Sequence, residues 1–270
     1  MIDLHCHLLD ETGCGPRSFA ESVLMCRRAV ADGVRLIVAT PRWDAPLTEP
    51  PLSLADCARK LERLRRETGG ALSLKTGFLL RFRPDLAALI ARFGSALTLG
   101  GGRYVLVSLP SLQTPPETEE VWSTINLQGF AVVVARPECS PALRRAPERL
   151  SRWMASGVNL QLDAASISGA YGREIQSFAL CCAREYQGRV VVASNARDAG
   201  SRRTSLWLAR EALMKKNGPR CAQLLLSETP AAIIRSASDE PHADAASAPS
   251  NTLLSRLRSL RPHKTLLNES

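Results

Sequence analysis

The chain opens MIDLHCHLL (residues 1–9), and its reading decides between two α/β architectures. Met1–Leu4 forms a short apolar strand, and an H-x-H pair at its C-terminal end sends His5 and His7 to the same side, because side chains alternate along a strand. Two imidazoles so placed suit ligation of one metal ion. For an isolated H-x-H the plainer reading, two exposed or hydrogen-bonded histidines, outweighs ligation, so the other strand ends must decide. Six further strand-like segments follow: VRLIVAT (34–40), ALSLKTG (71–77), RYVLVSLP (103–110), FAVVVARP (130–137), VNLQLDAAS (158–166) and RVVVASN (189–195). Helical patterns fill the intervals, which predicts parallel βα units. No G-x-G-x-x-G follows the first strand, so a dinucleotide-binding sheet loses support and a (β/α) barrel is favoured. In a barrel the chemistry sits at the C-terminal ends of the strands.

Local signals support the pattern. Ser18 and Glu21 form an S-x-x-E capping box for the first helix. Ser53 opens the second, and Pro84 is placed to start the third. Two more helices run from the seventh strand to about Ser236. From Ala237 the chain turns small, polar and proline-containing, the composition of a disordered linker. This predicts a domain over 1–236 and a separate tail over 237–270. In that tail Leu253, Leu254, Leu257 and Leu260 recur at helical spacing with Arg256, Arg258 and Arg261 between them. Two readings stand: a basic amphipathic helix for an acidic partner or membrane surface, or, more plainly, a solvated tail that does not dock.

The 270 residues suffice for a full core, and 45% hydrophobic with 23% charged residues is ordinary for a globular protein. No apolar run reaches membrane-spanning length and no charged segment precedes an apolar one at the start, so a cytoplasmic location is expected. The eight cysteines lack C-x-x-C spacing and read as free thiols. The net charge of +9 comes from 30 arginines against 5 lysines. They are scattered, without a basic stripe interleaved with aromatics, so nucleic acid is not the expected partner, whereas anionic ligands are.

Read together, MIDLHCHLL, VRLIVATPRW, KTGFLLRFRPDL, VVVARPE, NLQLDAASISGAYG and VVVASNARD resemble one family from residue 1 to about 236: the bacterial PHP (polymerase and histidinol phosphatase) type protein-tyrosine phosphatases of capsule and exopolysaccharide operons. The resemblance implies a distorted, TIM-like (β/α)7 barrel, the PHP fold. It also implies two or three divalent metals, usually manganese, and hydrolysis of phosphotyrosine on a polysaccharide-assembly tyrosine kinase, a metal-bridging hydroxide attacking phosphorus. His5 and His7 stand where the family has its first two ligands.

Elsewhere the pattern departs. Gly13 and Cys14 occupy the positions of an acidic turn. Arg42, Arg136 and Arg197 stand where histidines are expected, Leu79 where a bridging glutamate is expected, and Asn195 where an aspartate is expected, while Glu138 is kept. The only other histidines are His242 and His263 in the tail. A guanidinium cannot ligate a cation and repels it at close range. The substitutions therefore turn a cation site toward an anion site, and no tightly bound metal is expected. One weakly held ion on His5 and His7, helped by Asp3, Asp10 or Glu138, is the most that the residues allow.

A cysteine-phosphatase C-x5-R spacing occurs at Cys139–Arg145 and again at Cys57–Arg63 inside a helix. With this many cysteines and arginines such a match is expected by chance, and the glycines of a phosphate loop are absent. Cys181 and Cys182 read as helix-core residues. Three readings remain: a non-catalytic, phosphate- or phosphopeptide-binding pseudophosphatase in which Arg42, Arg136 and Arg197 converge on an anion, a weak phosphatase retaining one ion at His5 and His7, and, more plainly, a relic with no selected site. The first is favoured over the second about two to one, because function follows the site and not the fold.

Overall fold

The computed structural model describes residues 1–43, 53–200 and 206–236, so the reading of the 237–270 tail lies outside the described residues. Nine strand segments alternate with helices: β1 (Ile2–Cys6), β2 (Leu36–Ala39), β3 (Arg42–Trp43), β4 (Ser73–Thr76), β5 (Leu79–Arg81), β6 (Tyr104–Ser108), β7 (Ala131–Ala135), β8 (Asn159–Asp163) and β9 (Val190–Ala193). All pair in parallel, in a three-stranded sheet ordered β1-β2-β4 and a six-stranded sheet ordered β3-β5-β6-β7-β8-β9. The second and third expected strands are each followed, after a break, by a short segment beyond their expected bounds, β3 and β5. At the break in the third, Gly77 donates its N–H to the Ala39 carbonyl at 2.9 Å. A Cβ there would stand 2.9 Å from Val38 Cγ1, so only glycine lets the backbones approach.

Hydrogen bonds carry the pairing across both seams. Leu79 N–H donates to the Pro41 carbonyl at 3.1 Å on one side. On the other, Asn195 N–H donates to His5 C=O at 2.7 Å and His7 N–H to Ala196 C=O at 2.8 Å. The strand order therefore passes from β1 through β9 and returns to β1. The carboxyl ends of the first and last strands are held together although they are far apart in sequence.

The alternation of each strand feeds two apolar clusters. Outward residues such as Val105, Val107, Val132, Val134, Leu160, Leu162, Val190 and Val192 pack with helix residues including Trp122, Trp153 and Phe178. Inward residues Leu4, Val38, Leu79, Leu106, Val133 and Val191 form a second, smaller cluster with Ile233 and Ile234 of the helix Thr229–Arg235 and with Leu99. Each fully buried aliphatic side chain contributes about 1.5–3 kcal/mol. The smaller cluster lines the interior of the strands and the last helix covers it.

The first and second helices begin where the caps predicted: Ser18 Oγ accepts the Glu21 N–H and Ser53 Oγ the Asp56 N–H. The reciprocal half of the Ser18 box differs. The Glu21 carboxylate accepts from Arg17 N–H at 2.8 Å and from Ala199 N–H at 3.3 Å, tying the helix to the loop after β9. Pro84 does not start the third helix. Asp85 precedes its first residue, Leu86, and Arg83 engages the Asp85 carboxylate. Cys181 and Cys182 are buried on the helix Arg173–Glu185, and Cys57 lies inside the helix Leu54–Thr68. No helix among the described residues is long and apolar enough to cross a membrane.

Candidate functional site

A cavity of about 680 Å³ opens at the carboxyl ends of the strands. It is lined by His5, Arg42, Leu79, Arg81, Arg136, Asn195 and Arg197, with Cys139 and a set of serine, glutamine and aliphatic side chains. Five of the six residues predicted to share one pocket by lying at strand ends therefore line it. The sixth, His7, is fully buried beside His5, their rings 5.2 Å apart and edge to face, and does not reach the cavity wall. No aspartate or glutamate appears among the described lining residues, while four arginines do.

The backbone explains how His5 arrives there. Asp3 pairs with Ile37 and Cys6 with Ala39, so β1 spends three steps where β2 spends two. Such a bulge re-aims side chains. Leu4 stays in the inner apolar cluster, Cys6 joins the outer one, and His5 meets Gln161 of β8, its Nδ1 standing 2.8 Å from Gln161 Oε1. His5 Nε2 and both ring nitrogens of His7 have no aligned hydrogen-bond partner. Burial, followed by the charges of Arg136, Arg197 and Arg42, pushes the His5 imidazole down to about 3. Burial, then His5, Arg197 and Arg42, pushes His7 well below its usual value. Both rings are neutral at pH 7.

The buried carboxylates turn away from the cavity. Asp3 accepts from Ser194 Oγ at 2.6 Å, from Ser194 N–H at 3.0 Å and from His5 N–H at 3.2 Å; burial raises its carboxyl to about 6 despite these bonds. Glu138 Oε1 accepts from Ser166 Oγ at 2.7 Å and Asp163 N–H at 2.8 Å. Its Oε2 is buried without a partner, and burial with the nearby Asp163 raises the group to about 7. Asp10 faces Lys60 Nζ at 3.3 Å, which removes it from the ligands proposed above. Lys60 belongs to the helix Leu54–Thr68.

Asp163 is the hub that the sequence did not reveal. It is buried at the end of β8, and Arg136 Nε stands 2.8 Å from its Oδ2 as an ion pair. Asn195 Nδ2 donates to the same oxygen at 3.0 Å, and the Ala165 N–H is capped by Oδ1 at 2.9 Å. Two of the side chains that meet this carboxylate come from left-handed backbone, Arg136 with φ 55° and Asn195 with φ 49°. Non-glycine residues held there cost about 1 kcal/mol or more and collect at functional sites. The signal was present in NLQLD, whose aspartate ends a strand, but nothing local says which cation it meets. Arg81, also overlooked, lies two residues beyond Leu79 on β5, on the same side and one layer nearer the mouth.

Cys139 is not a nucleophile of the cysteine-phosphatase type. Burial and Glu138 raise its thiol to about 11 although Arg136 Nη2 stands 3.4 Å from its sulfur. Arg145, its expected C-x5-R partner, does not line the cavity.

A multinuclear metal centre does not fit these residues. No group of three or more His, Cys, Asp or Glu among the described residues is placed to hold a metal ion. The guanidiniums that depress the His5 and His7 basicity would repel a cation through the same field. A phosphate-sized anion fits better, since arginine presents several donors in a fixed fork.

The family profile described as capsular polysaccharide synthesis, CpsB/CapC, matches residues 1–235. The tyrosine-protein phosphatase YwqE of Bacillus subtilis is 28% identical over 181 residues, covering 67% of this chain and 71% of the relative. The tyrosine-protein phosphatase CpsB of Streptococcus pneumoniae is 25% identical over 239 residues, covering 87% and 98%. A chain from the crystal structures of these two proteins, which are described as metal-dependent tyrosine phosphatases, superposes with a TM-score of 0.79 at 25% identity, covering 87% of this chain and 95% of its own. The dihydroorotase of Campylobacter jejuni matches in fold alone, with a TM-score of 0.51 at 11% identity, covering 87% of this chain and 82% of its own. On the profile match over nearly the whole described length, this chain belongs to the CpsB/CapC family of capsular polysaccharide synthesis, whose relatives include metal-dependent tyrosine phosphatases.

Proposed function

We propose that this protein is a family member converted from metal-dependent hydrolysis to recognition: a pseudophosphatase that binds phosphotyrosine, or a similar phosphate-bearing anion, at Arg42, Arg136 and Arg197. The observation that carries this reading is the composition of the cavity. Four arginines line it and no carboxylate does among the described residues, the opposite of what a cluster of dications requires. Each charge-assisted hydrogen bond from guanidinium to phosphoryl oxygen would contribute roughly 1.5–3 kcal/mol before ordering costs. The ligand's negative charge also offsets the mutual repulsion of the arginines. The partner on this reading is a phosphotyrosine-bearing protein of polysaccharide assembly, such as a tyrosine kinase, met in the cytoplasm by a 1–236 domain followed by a tail whose basic residues, Arg256, Arg258, Arg261 and Lys264, cluster near its end.

A second reading rests on the partnerless nitrogens of His5 and His7: one divalent ion, manganese or another, held weakly there and supporting slow hydrolysis. One experiment separates the two. The full chain is melted with phosphate, phosphotyrosine peptide and Mn²⁺ separately, alongside metal analysis and phosphotyrosine-peptide hydrolysis. Recognition predicts stabilisation by phosphate and phosphopeptide, lost in Arg136→Ala, with no turnover. Stoichiometric metal with Mn²⁺-dependent hydrolysis would establish the second reading instead. Absence of any anion stabilisation at millimolar phosphate and low salt overturns the first.

A further inference from the structure

Resting on the proposed phosphoprotein recognition, we infer that Arg81 and the loop Leu109–Gln113 form a second subsite at the rim of the cavity. This subsite selects phosphopeptides that carry a carboxylate beside the phosphorylated residue. Arg42, Arg136 and Arg197 surround His5, where all three charges act on its imidazole. Arg81 is different. It is exposed, it lines the mouth, and among the described residues its guanidinium makes no ion pair or hydrogen bond.

Its backbone is nevertheless fixed. Arg81 pairs with Ser108, Phe82 N–H donates to the Ser108 carbonyl at 2.8 Å, and Ser108 Oγ donates to the Leu80 carbonyl at 3.3 Å. Phe82 is anchored edge to face on the buried Trp122 ring at 5.5 Å. The result is a cation on a rigid strand end, with only its side chain left to adapt.

Beside it, the loop Leu109–Gln113 lines the same cavity, and Ser140 Oγ donates to the Ser111 carbonyl at 3.4 Å. Leu112 in that loop is 81% exposed, an apolar lip next to an unpaired cation. A ligand that reaches from the inner arginines to this rim meets cation, aliphatic wall (Leu79, Leu109, Leu143) and then cation beside an apolar lip. A phosphorylated aromatic side chain satisfies the first two, and the residues flanking it in a peptide reach the third. A bare phosphate or a single phosphorylated metabolite leaves the rim unused.

The test measures fluorescence anisotropy of labelled phosphotyrosine peptides with Glu, Gln or Lys next to the phosphorylated residue, on the full chain and on Arg81→Glu and Arg81→Gln. An exposed ion pair is worth little, so wild type should favour Glu over Gln by about threefold at low salt, shrinking as salt rises. Arg81→Glu should reverse the order to favour Lys, while the neutral Arg81→Gln should lose the Glu preference and keep its stabilisation by inorganic phosphate close to that of wild type. Equal Glu-to-Gln ratios in wild type and Arg81→Glu overturn the rim subsite but leave phosphate recognition standing. Loss of the phosphate response in Arg81→Gln also overturns it, by placing Arg81 in the inner cluster. Failure of wild type to bind any phosphopeptide overturns both readings. Binding to phosphatidylserine vesicles that depends on Arg81 and Leu112, without peptide discrimination, would reassign the rim to lipid.

Discussion

Leu79 and Leu106 are rung partners on neighbouring strands, yet they belong to two different regions of the molecule. Leu106, fully buried, sits wholly within the inner apolar cluster covered by Ile233 and Ile234. Leu79 belongs to that cluster and also lines the arginine-rich cavity above it. Within one or two residues along the same strands, the interior passes from a dry aliphatic plug to a polar chamber holding His5, Gln161, Asp163, Asn195 and the arginines. The lower region contributes stability by excluding water, whereas the upper one holds polar and charged groups, among them the Arg136–Asp163 pair. Parallel βα units make this division natural, since the loops that bring chemistry all leave from one end.

The sharpest way to break the comparison is to place the same carboxylate on both members of the rung. Leu106→Glu should prevent folding, because an unpaired charge in the apolar plug exceeds the cost of any ordinary core substitution. Leu79→Glu should fold, losing about 1–2 kcal/mol, and should weaken phosphate binding because its carboxylate competes for the guanidiniums. Circular dichroism melts and phosphate titrations report both outcomes. Equal damage from the two variants would show that the boundary between the regions is not where the cavity lining puts it.

A smaller effect, dependent on pH, tests whether the upper chamber carries an unbalanced acid. The Glu138 carboxyl, raised to about 7 by burial and by Asp163, keeps a proton in the folded state that the unfolded chain gives up near the ordinary glutamate value of about 4.3. The folded protein binds more protons across that window, so the stability owed to the neutral acid is full at low pH and falls as pH rises toward 7. Glu138→Gln should therefore melt higher than wild type at pH 8, by about 1–3 kcal/mol, and nearly equally at pH 4.5. The depressed histidines act in the opposite sense, gaining stability as pH rises to about 6.5, but they cancel when variant and wild type are compared at one pH. A variant no more stable at pH 8 would mean that Glu138 is paired there.

The smallest difference concerns backbone strain. Arg136→Ala and Arg136→Gly both remove the Asp163 ion pair and both should abolish the phosphate response. Glycine accepts φ 55° without penalty, so Arg136→Gly should be more stable than Arg136→Ala by about 1 kcal/mol. If alanine is the better replacement, the left-handed conformation belongs to the arginine contacts and not to the strand end.

The local parts of this account were legible in the chain. Strands β2, β6, β7 and β9 announced themselves by β-branched runs, Ser18 and Ser53 marked helix starts, and Arg42, Arg136 and Arg197 could be read at or just after strand ends. These are properties of neighbouring residues, or of identities at fixed positions. Pro84 misled because a proline suits a turn before a helix as well as its first position, and the Arg83–Asp85 pair decided which.

By itself, then, the sequence determined an alternating parallel α/β chain, the two early histidines, and the arginines at or just after strand ends. Only the tertiary structure decided that β1 bulges between Asp3 and Cys6, that Asp163 pairs with Arg136 beside the cavity, that Ile233 and Ile234 cover the inner cluster, and that Arg81 stands at the rim without an ion pair among the described residues. The physical reason is the same in each case. Hydrophobic period and capping act over a few residues, but the partner of a buried charge is chosen by closure of the strand order, which brings residues such as His5 and Asn195 within hydrogen-bonding distance across nearly the whole domain.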